Sequence, residues 1–121
     1  MSVVTPIMTS ARAPERSARL RGDPVRRLLI ALMAIAGPRS YATLADATPW
    51  ASGMFEGMRY DVLLGLFGDQ AQTIADLLKI ALPEAEFSIS GHIVAAMTVD
   101  NIEDTGRTVI LTLSALVLRD A

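Results

Sequence analysis

Residues 107–118 alternate without a break. Val109, Leu111, Leu113, Ala115 and Val117 point one way, and Thr108, Ile110, Thr112, Ser114, Leu116 and Leu118 point the other. Successive side chains of a strand face opposite sides of its sheet, so a run that is largely apolar on both sides belongs between two other strands. The chain must therefore build a sheet of at least three strands around this one.

Three other stretches can supply the neighbours. Residues 40–48 alternate weakly and are followed by Pro49. Proline lacks the N–H that a ladder needs, so this strand is expected at a sheet edge. In residues 54–67, Met54, Met58, Tyr60, Val62, Leu64 and Leu66 share one face. Phe55, Gly57, Arg59, Asp61, Leu63, Gly65 and Phe67 share the other. In residues 92–100, Ile93, Ala95, Met97 and Val99 alternate with His92, Val94, Ala96, Thr98 and Asp100. The polar segment Asn101–Gly106 then predicts a hairpin joining the last two strands.

Two segments have helical spacing instead. Asp23-Pro24 is a helix start, with Asp as N-cap and Pro where no donor is needed. Gly37-Pro38 is a stop. Between them Val25, Leu28, Leu29, Leu32, Met33 and Ala36 line one face, while Ile30, Ala31 and Ala34 lie off it. A helix this apolar is normally covered on more than one side. The second helix starts at Asp69, with Gln72 completing a capping box, and ends before Pro83. Its expected buried face is Ile74, Leu77, Leu78 and Ala81, with Gln72, Asp76 and Lys79 outward.

The order α-β-β-α-β-β predicts an α+β domain over residues 23–121: a four-stranded antiparallel sheet with two helices on one face. Moving the last strand to the front gives β-α-β-β-α-β, so a circular permutant of the ferredoxin-like fold satisfies every connection. A meander of the same elements is the alternative. Residues 1–22 lack a sustained apolar period and carry Arg12, Arg16, Arg19 and Arg21, which predicts a flexible Arg-rich tail. Arg26-Arg27 followed by an apolar stretch and Ser40-Tyr41-Ala42 also resembles a signal peptide over residues 24–42, which would mean export. The cap signals at either end of that stretch suit a folded helix better.

Composition narrows the chemistry. Apolar residues reach 51% before glycine is counted, against roughly 45–50% with glycine in ordinary domains. Charged residues are 20%. Such a chain has ample apolar surface to bury, which excludes disorder as its main state. The longest apolar run, Leu28 to Gly37, falls short of the roughly 18 residues of a membrane helix, so no membrane span is expected. With no cysteine and a single histidine, disulfides, thiol catalysis and a Cys- or His-rich metal site are excluded. No cofactor is implied. Residues 1–39 carry seven Arg against Glu15 and Asp23, whereas residues 40–121 carry four basic and eleven acidic residues. An acidic body repels phosphate, which argues against nucleic acid as a partner.

No glycine-rich nucleotide loop, zinc-protease helix or nucleophile elbow is present. His92 is a candidate base, with Ser88, Ser90, Asp61 and Asp100 as compositional candidates for a triad, although a strand-end imidazole more often bonds nearby backbone. Trp50, between the first two strands, is either a partner anchor or a plug for the end of the core. The sheet face opposite the helices mixes Arg59, Asp61, His92, Thr98, Asp100, Thr112 and Ser114 with Phe55, Leu63, Val94, Ile110, Leu116 and Leu118. That mixture suits an interface, with Arg59 and Asp61 setting its register.

Pro49-Trp50-Ala51-Ser52-x-x-Phe55-x-Gly57-x-Arg59, with Phe87-x-x-x-Gly91-His92-Ile93-Val94-Ala95, resembles a group of small uncharacterised proteins of alphaproteobacteria over roughly residues 24–120. The resemblance implies a cytoplasmic bacterial protein and carries no activity. The abundance of Ala and Arg beside a single Lys fits a high-GC bacterial genome. The expected function is that of a non-enzymatic binding or interaction module, a homodimer through its sheet face with a further protein partner possible. The alternative is a small-molecule-binding protein or enzyme with a pocket around His92, Arg59 and Asp61.

Overall fold

The computed structural model describes residues 24–120. The expected tail, residues 1–22, lies outside the described residues. The elements are α1 (Pro24–Ala36), β1 (Ser40–Ser52), β2 (Phe55–Phe67), α2 (Ala71–Ala81), a 3₁₀ turn (Leu82–Glu84), β3 (His92–Asp104) and β4 (Thr108–Arg119). The sheet is antiparallel with strand order β1-β2-β4-β3. The inward row of β4, from Val109 to Val117, is buried along its whole length, as expected of a central strand. β1 is an edge, as Pro49 requires.

This order excludes a meander, in which β3 would lie beside β2. Instead β2 and β3 run parallel, joined by α2, with β4 inserted antiparallel between them. Taken with β4 as the first strand, the order across the sheet becomes fourth-first-third-second, as the permuted β-α-β-β-α-β arrangement demands. Pro24, which opens α1, lines the same pocket as Arg119, which ends β4.

α1 buries Leu28, Leu32 and Ala36, with Val25, Leu29 and Met33 packed beside them. Its end is closed by the Gly37 N–H on the Met33 carbonyl (2.9 Å) and by the Ser40 hydroxyl, which donates to the Gly37 carbonyl (2.6 Å). The segment 24–42 is thus an integral part of the core, ending in buried Ala42.

Three details differ from the expectations. β1 continues through Pro49 and Trp50 to Ser52, so Trp50 stands in a strand opposite Gly57 and not in a turn. An edge strand has one unpaired side, which accommodates a residue without an N–H.

The second helix begins at Ala71 after Gln70 and has no side-chain cap. The Gln72 amide donates to Asp76 instead, at 3.0 Å. Its buried face is Ala71, Ala75 and Leu78, while Leu77 is 62% exposed and Ala81 is also exposed. The face that packs on the sheet is thus built from two alanines and Leu78, which leaves Leu77 turned outward.

β3 reaches Asp104, so the turn shrinks to three residues, and two irregularities interrupt its alternation, between Val94 and Ala96 and between Val99 and Asn101. Each extra residue shifts the phase by one. Val94, Met97, Val99 and Ile102 therefore face the core, and Ile93 faces away.

Candidate functional site

Both helices pack on one face of the sheet, and among the described residues no element covers the other. The registers place the open face in rows across β1, β2, β4 and β3. One row is Tyr41–Gly65–Ile110–Glu103, and the next is Thr43–Leu63–Thr112–Asn101. The third is Asp46–Asp61–Ser114–Thr98, and the fourth is Thr48–Arg59–Leu116–Ala96. Phe55, Leu63 and Tyr41 on this face are 55%, 36% and 61% exposed.

The middle of the face is polar. The Ser114 hydroxyl lies 3.3 Å from Asp61 Oδ1 and in short contact with Asp100 Oδ2. Asp100 also accepts from the Thr98 hydroxyl at 2.9 Å. One hydroxyl has one hydrogen, so Ser114 serves the two carboxylates by turns. Asp46 stands directly opposite Asp61 on the neighbouring strand, an unfavourable pairing of like charges. Among the described residues none of these carboxylates has a cation in ion-pair range, and Arg59, one row away, also has no acidic partner.

His92 lies elsewhere. Gly91, with φ of +78°, turns the chain so that the His92 N–H reaches the Ile89 carbonyl (3.0 Å) and the Asp120 N–H reaches the Gly91 carbonyl (2.9 Å). These bonds fix His92 beside Arg119, on the helix side of the sheet at its end. Glu56 is the next residue across. An open pocket of about 900 Å³ sits there, lined among others by Trp50, Met58, Tyr60, Val117 and His92.

The structure therefore joins Trp50 with His92, and Arg59 with Asp61, but does not gather His92, Arg59 and Asp61 into one pocket. His92 Nδ1 bonds the Ser90 carbonyl at 3.1 Å, so its ring is oriented by backbone and not by a carboxylate as a triad would need. Among the described residues no group of three or more His, Asp or Glu could hold a metal ion, and no helix is long and apolar enough to cross a membrane. The sequence alone did not single out Glu56 or Arg119; only the registers of two strand ends bring them together. Comparison with family models, curated proteins and solved structures finds no match.

Proposed function

We propose that the chain is a non-enzymatic interaction module of the bacterial cytoplasm that self-associates through the open face of its sheet. The observation that carries this reading is the uncovered face itself, with Tyr41, Phe55, Leu63, Phe67 and Ile93 exposed on it. Four strands of about 13 residues span about 19 by 40 Å at the usual spacing and rise, or about 800 Å². That is the area per partner, roughly 800 Å², of a standard stable interface.

A two-fold arrangement lets one patch meet its own copy. An axis passing between residues 59 and 61 lays each Arg59 over Asp61 of the second copy and gives both charges the ion-pair partner they lack among the described residues. The cytoplasmic setting rests on the resemblance of residues 24–120 to alphaproteobacterial proteins.

Leu63 sits mid-strand on this face. Leu63→Asp is expected to convert the dimer to a monomer in sedimentation equilibrium, with the circular dichroism spectrum unchanged. Phe55→Ser, at the exposed hairpin end, is expected to weaken association without touching the core. Dimers persisting in both variants would overturn the choice of face.

A further inference from the structure

The pocket at the end of the sheet has a definite chemical order. Its apolar floor is the half-buried Met58, with Val117 beside it buried in the core, and one polar row follows, Glu56–Arg119–His92. Trp50 stands at the side. The volume of about 900 Å³ lies within the roughly 300–1,000 Å³ of small-molecule sites, which are typically apolar with a few convergent polar groups.

The polar row sets an acceptor beside a donor. Glu56 offers carboxylate oxygens and Arg119 offers a fork of N–H donors. His92 Nδ1 is engaged with the Ser90 carbonyl, which leaves Nε2 as the second ring nitrogen at the end of the row. Glu56 and Arg119 are 3.8 Å apart and 72% and 71% exposed, so their mutual attraction is weak and both remain available to a ligand. A carboxylate at the base of the row disfavours an anion there, and the apolar floor disfavours a compact cation.

The geometry points to a binding site for an uncharged planar heteroaromatic molecule with a donor and an acceptor on one edge, of the nucleobase type. Its ring lies on Met58, beside Trp50. Its edge gives an N–H to Glu56 and takes one from Arg119. Its polar row is on the helix side of the sheet, opposite the self-association face, while Trp50 and Gly57 belong by register to the end row of that face, Trp50–Gly57–Leu118–Ile93.

Trp50 is the chain's single tryptophan, so its fluorescence reports on the pocket. The full chain is titrated with adenine, whose amino group and adjacent ring nitrogen offer the required edge, and separately with benzoate, which has a ring and an anion. Adenine is expected to change the Trp50 emission saturably, and benzoate is not. Glu56→Ala and Arg119→Ala should each weaken adenine by about tenfold, the usual effect of losing one hydrogen bond to a charged group. Because both side chains are exposed, circular dichroism should show both variants folded. No saturable change with adenine, an equal response to benzoate, or variants that bind adenine as well as the parent chain would each overturn the proposal.

Discussion

Replacing Leu113 by Ala is expected to lower the unfolding free energy by about 2–5 kcal/mol, the usual range for deleting a buried leucine. Leu113 is fully buried on β4, with Val62 opposite it on β2 and Val99 on β3, both facing the core. The loss has two parts: the transfer energy of the removed atoms, and the cavity left behind. The cavity matters here because β4 is held by ladders on both sides and cannot move in to fill it. Urea denaturation followed by circular dichroism measures the effect. A cost below about 1 kcal/mol, smaller than any common leucine-to-alanine cavity, would contradict the assignment of Leu113 to the centre of the core.

Gly57→Ala is expected to destabilise, which reverses the ordinary sign. Glycine within a strand usually costs roughly 0.5–1 kcal/mol relative to alanine, so the substitution would normally help. Here a Cβ would fall 2.1 Å from the Val117 carbonyl oxygen, 2.8 Å from Leu118 Cα and 2.9 Å from the Val117 carbonyl carbon. All three obstacles are backbone, so no side chain can swing away. β2 would have to separate from β4 at the end of the sheet, at a cost of about 1–3 kcal/mol, the usual range for overpacking. A higher midpoint in the same denaturation experiment would show that the two backbones do not approach so closely. The strain would fall on the strand that also carries Glu56 and Met58, so the pocket at this end depends on the same close approach.

Much of this fold was legible because strong local patterns agreed with the tertiary solution. The alternation of β4 named its inward row correctly, and Pro49 marked β1 as an edge. The stop at Gly37-Pro38 marked the end of α1 at Ala36, while the expected Asp23 cap lies outside the described residues. The patterns failed where tertiary packing overrode local chemistry. Leu77 is as apolar as Leu78, yet packing on the sheet selected the face of α2 that carries Ala71, Ala75 and Leu78. The irregularities in β3 exchange Ile93 for Val94, and nothing in the residues around Ala95 announces an extra residue.

The candidate site followed the same division. The open face, with Arg59, Asp61, Thr112 and Ser114 among apolar neighbours, could be listed from the alternation of β2 and β4. Which residues meet across it could not, since Asp46 reaches Asp61 only through the shifted register after Leu44. The grouping of His92 with Arg59 and Asp61 joined two surfaces that lie on opposite sides of the sheet. His92 belongs instead with Glu56 and Arg119, which are 63 residues apart in the chain and neighbours only through the β2–β4 ladder.

Self-association through the open sheet face is the central claim, and sedimentation equilibrium of the full chain at micromolar concentration tests it most directly. The account predicts a mass about twice the 13.0 kDa of one chain. A mass of 13.0 kDa that does not rise with concentration would contradict it.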